Sequence, residues 1–344
     1  ITLTNPQANY DGSPYTGFIF YVKQGPKVGA ASQCKFLVAT QESIADGQDS
    51  FGIPVCLSAS WTPVTVFYSQ LHQAGFGPSK GTATWNPAHM QTLTWQFAGG
   101  VTFDIEVDNV AFTTLPDPGG LPNYRVDNFR DGSAKPNSAL TGLPANPVLG
   151  WSSYVGDPTI VFGVPVVECG PGHGTVPVDN FEGHAVGQII YPSGSSYPSY
   201  SMTLILNTEG VPSQQYYNAS SWNGIKFWVN NNDGAGLSSL FEVYVDQVVP
   251  SPDGTCSASC YDTPGTDITT LTKGKGWIQV QLSLKNETGA GVGDLQQGGW
   301  GTALSPAGLS NHLAAIGGFQ WIQTPSNVNG TYNVDFQLDD VEFY

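Results

Sequence analysis

Within the 344 residues, Tyr10-Asp11-Gly12-Ser13-Pro14-Tyr15-Thr16-Gly17-Phe18-Ile19-Phe20-Tyr21-Val22 aligns without a gap with Tyr217-Asn218-Ala219-Ser220-Ser221-Trp222-Asn223-Gly224-Ile225-Lys226-Phe227-Trp228-Val229. In the same order, Trp61 to Val66 matches Trp277 to Leu282, Leu93-Thr94-Trp95 matches Phe319-Gln320-Trp321, and Asp104 to Phe112 matches Asp335 to Phe343. Matched blocks recurring in one order define two related units. Each block alternates apolar and polar residues with period two, as a half-buried strand must. Ile225, Phe227 and Val229 point one way, and Lys226, Trp228 and Asn230 the other. Phe20 and Phe227 are core by this pattern, and Trp95 and Trp321 fall in core phase. The expected fold is all-β, with two tandem antiparallel sandwiches.

Between the units, Thr114-Leu115-Pro116-Asp117-Pro118-Gly119-Gly120-Leu121-Pro122-Asn123-Tyr124 cannot continue a sheet and reads as a stiff linker. Unit one is then 1–113 and unit two 125–344. Unit two has about 90 residues, Arg125 to Gln215, ahead of its Tyr217 block, whereas unit one has nine ahead of Tyr10. Unit one thus lacks its opening strands, which leaves open edges and an uncovered core. Either upstream residues are absent from this sequence or another chain supplies the strands by strand addition.

Gly (42) and Pro (25) are abundant while only 11% of residues are charged, which favours short strands and tight turns over long surface helices. Aromatics at 12% supply the large side chains that sandwich cores need. A net charge of −16 repels phosphate backbones and anionic bilayers, so nucleic acid is excluded as a partner. No apolar run approaches the roughly 18 to 20 residues that span a bilayer, and Ile1 to Tyr10 has neither a basic stretch nor a long apolar core. A soluble chain without membrane insertion or targeting signal is expected.

The five cysteines contain no C-x-x-C metal pair. In a Lys-poor chain rich in Gly, Asn, Ser and Thr, an extracellular setting is expected, with disulfides Cys34 to Cys56 and Cys256 to Cys260 stapling loops and Cys169 left over. The alternative is five small buried hydrophobes in a reducing compartment. Asn218, Asn286 and Asn329 begin Asn-x-Ser/Thr acceptor sites.

The order Asp127-Asn128-Phe129-Arg130-Asp131-Gly132, Tyr217-x-x-Ser220-x-x-Gly224-Ile225-x-Phe227-Trp228, Trp277-x-x-Val280 and Asp339-Asp340-Val341-x-Phe343 resembles family 11 carbohydrate-binding modules and related galactose-binding-like jelly rolls. The resemblance implies two tandem antiparallel jelly-roll β-sandwiches, each with one concave sheet able to hold a glycan, in a protein secreted to a bacterial cell surface. It also implies structural calcium, Ca2+, held by Asp127, Asp131 and Asp340, where the first strand meets the last. This sequence departs from the family pattern at Asn128 and Arg130, and unit one has Asn109 opposite Asp340. The competing reading is a set of strand-end turn carboxylates.

Asp104-Ile105-Glu106-Val107-Asp108 puts three carboxylates on one strand face and resembles the acidic strand of laminarinase-type sandwich glycosidases. Unit two has Gln337 at the Glu106 position, which can neither donate a proton as an acid nor attack. His72, His89, His173, His184 and His312 form no metal-binding pair, and Cys169 to His173 reads as a loop.

Sugar C–H faces pack on exposed aromatic planes while hydroxyls bond to polar side chains. Trp228 and Tyr244 point away from the core, and the two rings share a face if their strands lie in one sheet. Glu242 and Asn230 point outward with them. In unit one, Tyr21 corresponds to Trp228, and Leu37 roughly takes the place of Tyr244. Trp151, Tyr154 and Trp300 lie in loop-like stretches suited to a binding rim. The expected function is non-catalytic recognition of a polysaccharide or cell-surface glycan. The alternatives are a filament or surface-assembly subunit that polymerises head-to-tail with copies of itself, and a glycoside hydrolase of sandwich type.

Overall fold

The alternating blocks form strands in a computed structural model that describes residues 1–3, 8–27, 29–78, 83–116, 125–127, 150–155, 161–162, 166–169, 181–191, 199–206, 216–250, 254–285, 295–327 and 329–344. The chain divides into two units, built on Ile1–Gly120 and on Glu182–Tyr344. Residues 117–124 of the expected linker lie outside the described residues.

Unit one contains β1 (Gly17–Gln24), β2 (Gln33–Thr40), β3 (Phe51–Cys56), β4 (Thr62–Phe67), β5 (Met90–Gln96) and β6 (Ile105–Thr113). They form two antiparallel three-stranded sheets, β4-β1-β6 and β3-β2-β5. Alternation sends Phe18, Phe20 and Val22 of β1 into one interior with Cys34, Phe36 and Val38 of β2. Phe18 meets Phe36 across the sheets at 5.3 Å between ring centres.

The strands that follow are β7 (Arg125–Asp127), β8 (Gly150–Val155), β9 (Val161–Phe162), β10 (Val166–Cys169), β11 (Phe181–Tyr191) and β12 (Tyr200–Ile205). These are followed by β13 (Gly224–Asn231), β14 (Leu237–Val245), β15 (Gly265–Asp267), β16 (Ile278–Ser283), β17 (Ile316–Pro325) and β18 (Gly330–Phe343). One sheet runs β10-β11-β18-β13-β16, with β7 on β18 and β9 on β11, and the other runs β15-β14-β17-β12-β8. Phe227 of β13 and Phe241 of β14 stack across the sheets at 5.5 Å.

The repeat extends to connectivity, since β16-β13-β18 reproduces β4-β1-β6 and β15-β14-β17 reproduces β3-β2-β5. Even an irregularity is duplicated. Asn109 (φ 51°) and Asp340 (φ 45°) occupy the left-handed region at a bulge in β6 and β18. The preceding Asp108 and Asp339 each accept the next N–H at 2.7 Å. The bulge shifts the inward set by one residue, from Phe336 and Leu338 to Val341 and Phe343, all buried.

In unit one, Ile1 to Leu3 run along β5, with Leu93 N–H donating to Ile1 and Leu3 N–H to Gln91, both at 2.9 Å. Leu206 donates to Gly317 of β17 in the matching way at 3.0 Å. Among the described residues β6 pairs only with β1, whereas its counterpart β18 pairs with β13, β11 and β7.

The cysteine pairing corrects one expectation. Cys256 and Cys260 are joined, with Cα atoms 5.8 Å apart. Cys56 is disulfide-bonded, but not to Cys34, which is a free buried thiol. Cys34 lies opposite Val55, and Cys56 opposite Gln33. This register turns Cys34 to the interior and Cys56 to the outer face, so no bridge can join them. Burial pushes the Cys34 thiol up to about 12.

Candidate functional site

Asp262 closes a tight loop in unit two. The residues after Gln296 turn back on themselves, and Gly299 takes φ 79°, a conformation suited to glycine. Asp262, 2% exposed, accepts N–H bonds from Gly298 (2.8 Å), Gly299 (3.0 Å) and Gly301 (3.0 Å). Gln297 donates from Nε2 to the Asp262 carbonyl at 2.7 Å and accepts Leu304 N–H at 2.9 Å. A buried carboxylate is tolerable when oriented donors surround it, and here they lock the backbone on both sides of Trp300. Trp300 is 65% exposed, and Tyr261, next to Asp262 in the chain, is 55% exposed. The loop thus carries a large aromatic side chain in water on a backbone whose conformation is already restricted.

The loop borders the outer face of the sheet containing β14. Gly265 pairs with Glu242 of β14 on one side and with Gln296 on the other. Thr263 donates its hydroxyl to Glu242, Tyr244 donates to Gln320 of β17, and Gln320 donates to Ser201 of β12. These polar side chains share the face opposite Phe241, Val243, Phe319 and Trp321. Burial raises the Glu242 carboxyl to about 7, the Thr263 hydrogen bond opposing it and the Asp262 charge adding to it. Trp151 and Tyr154 lie on strand β8 and not in a loop, Tyr154 pairing with Ser201 and Trp151 with Leu204 of β12. The side chains of Tyr154 and Trp151 lie outside the described residues.

Trp228 and Tyr244 do not share a face. Alternation turns both outward, but β13 and β14 belong to different sheets of the sandwich, so the rings look in opposite directions. Trp228 lies on the outer face of β13 with Asn230, which donates to Gln337 at 2.5 Å. On the same strand face, Lys226 pairs with Glu342 at 2.7 Å. Tyr21, the Trp228 counterpart, is 39% exposed on β1. Register also corrects the Tyr244 counterpart. Leu37 matches Glu242 and Ala39 matches Tyr244, since Leu37 faces Thr94 as Glu242 faces Gln320.

Of the calcium candidates, Asp131 lies outside the described residues, and Asp127 pairs through its backbone with Val341, next to Asp340. Asp340 has a backbone task of its own at the bulge. Among the described residues, no group of three or more His, Cys, Asp or Glu side chains is placed to hold a metal.

The acidic residues of unit one are also engaged. Asp104 precedes β6 and accepts Lys27 N–H at 3.1 Å, Glu106 pairs with Lys23 at 2.9 Å, and Asp108 binds Asn109 N–H. In unit two His184 contacts Asp335 at 2.8 Å.

Alternation could not reveal the Asp262 clamp, which forms in a loop. The available signal was a fifth repeat block, His72-Gln73-Ala74-Gly75-Phe76-Gly77 against Gln296-Gln297-Gly298-Gly299-Trp300-Gly301.

No protein-family model and no curated protein matches the chain. Among solved structures it is similar to TmCBM61 in complex with β-1,4-galactotriose, with TM-score 0.26 and 9% identity over 63% of this chain and 94% of that one. It is similar to the family 11 carbohydrate-binding module of the cellulosomal cellulase Lic26A-Cel5E of Clostridium thermocellum, with TM-score 0.29 and 10% identity over 58% and 89%. A structure of broad bean stain virus gives TM-score 0.23 and 12% identity over 96% and 78%.

Proposed function

We propose that this chain is a non-catalytic extracellular protein that recognises a glycan or attaches to a glycan-bearing surface. The observation that carries the reading is Trp300, held in solvent by the Asp262 clamp at the edge of the sheet whose outer face carries Glu242 and Tyr244. An exposed aromatic plane takes the C–H face of a pyranose ring, and nearby polar groups take its hydroxyls. The charge of −16 favours an uncharged glycan over an acidic one. The disulfides support an oxidising, extracellular compartment. The engagement of Asp104, Glu106 and Asp108 in structural contacts supports a non-catalytic role. Calorimetry against soluble xyloglucan, β-1,4-galactan and mixed-linkage β-glucan tests the reading. Binding to at least one is expected, lost in Trp300→Ala with the circular dichroism unchanged, and an inert wild type would refute it.

Calcium at the β7 to β18 junction belongs to the same proposal, with Asp127, Asp131 and Asp340 as its holders. A rise in melting temperature on adding calcium to chelator-treated protein supports it, and no change removes it.

One observation favours the filament reading as the second choice. Ile105, Val107, Val110 and Phe112 of β6 are only half-buried, where the matching Phe336, Leu338, Val341 and Phe343 of β18 are buried. A strand from another copy added to β6 closes that side. Electron micrographs showing fibres support this reading, and dispersed monomers at high concentration oppose it.

A further inference from the structure

The Trp300 loop has a twin in unit one. Asp49 is fully buried and accepts N–H bonds from Ala74 (3.0 Å), Gly75 (2.8 Å) and Gly77 (3.4 Å). Gln73 donates to the Asp49 carbonyl at 2.6 Å and accepts Ala83 N–H at 2.9 Å, as Gln297 does with Asp262 and Leu304. Gly75 has φ 87°, and Gly52 pairs with His72 as Gly265 pairs with Gln296. At the Trp300 position stands Phe76, 68% exposed.

The clamp itself needs only Asp, Gln, Gly and backbone. Nothing in it requires an aromatic ring, and a ring left in water forgoes the favourable transfer that burial provides. Yet both copies place a large ring there, on a backbone fixed by the same set of hydrogen bonds. A shared surface task accounts for this, because a ring carried on a pre-fixed backbone leaves less of the loop to order when a ligand packs on it.

We propose that Phe76 is the contact residue of a second glycan platform, which packs on the C–H face of one pyranose ring of an uncharged polysaccharide. The inference rests on the reading of Trp300 given above. Phe76 has no N–H to donate, and Leu37 and Ala39 stand where unit two has Glu242 and Tyr244. Unit one therefore offers stacking without those polar groups. It stacks on a pyranose ring as an independent site, weaker than the one at Trp300.

The test uses the full chain in calorimetry with xyloglucan, β-1,4-galactan and mixed-linkage β-glucan hexasaccharides. The wild type is expected to take two oligosaccharides per chain, one at Trp300 and one bound at least tenfold more weakly at Phe76. Phe76→Ala is expected to lose the weaker site alone, with melting unchanged because the ring is exposed, and Phe76→Trp is expected to tighten it. Trp300→Ala is expected to lose the tighter site and leave the weaker one. A single site in the wild type that Trp300→Ala abolishes overturns the second platform and leaves the first. A weaker site that persists in Phe76→Ala also overturns it. If neither alanine variant alters binding, or the wild type binds none of the three, both platforms fall together.

Discussion

Phe227 and Trp321 meet edge to face in unit two, with ring centres 5.2 Å apart and planes at 89°. Phe20 and Trp95 repeat the contact in unit one at 5.3 Å and 90°. Phe36 and Phe241 complete the two clusters from the strands that pair with those of Trp95 and Trp321. Truncating the fully buried Phe227 to Ala removes these contacts and leaves a cavity. A loss of about 3–5 kcal/mol is expected in denaturant unfolding, and Phe227→Leu is expected to lose less.

Asp262→Ala leaves three peptide N–H groups without their acceptor. Hydrogen exchange at Gly298, Gly299 and Gly301 is expected to speed up sharply while the amides of β13 and β14 stay protected. Stability is expected to fall by about 1–3 kcal/mol, the cost of desolvated groups left unsatisfied.

Glu242 makes stability depend on pH in a stated direction. Its carboxyl is raised by burial to about 7, so the folded protein binds this proton more tightly than the unfolded chain does. The resulting stabilisation is full below the ordinary carboxylate range, near pH 4.5, and is lost as pH rises through about 7. Relative to Glu242→Gln, the wild type is expected to lose on the order of 2–3 kcal/mol between pH 4.5 and 8 in paired denaturant titrations. A constant difference across that range contradicts the burial of this carboxyl.

Cys34 is expected to resist alkylation in the native protein and to react once the chain is unfolded without reductant. Peptide mapping checks this, and a Cys34 to Cys56 peptide would contradict the register of β2 and β3.

The strands and their inward residues were legible because period-two alternation fixes which side of a strand is apolar. Phe20, Phe227 and Trp321 are buried as their phase demands. Alternation does not say which sheet a strand joins, and for that reason the pairing of Trp228 with Tyr244 failed. It also does not fix register between strands, and one residue of register decides whether Cys34 and Cys56 share a side. The loops carry no period at all. Asp262 acts across 35 residues on Gln297, and Asp49 across 24 on Gln73, so unequal insertions hid the twin clamps.

Incorporating 5-fluorotryptophan, assigning the Trp300 signal by Trp300→Phe and titrating with the polysaccharide tests glycan recognition most directly. The account predicts that the Trp300 fluorine signal shifts or broadens in proportion to binding while that of fully buried Trp321 stays in place. Saturating ligand that leaves the Trp300 signal unmoved would contradict it.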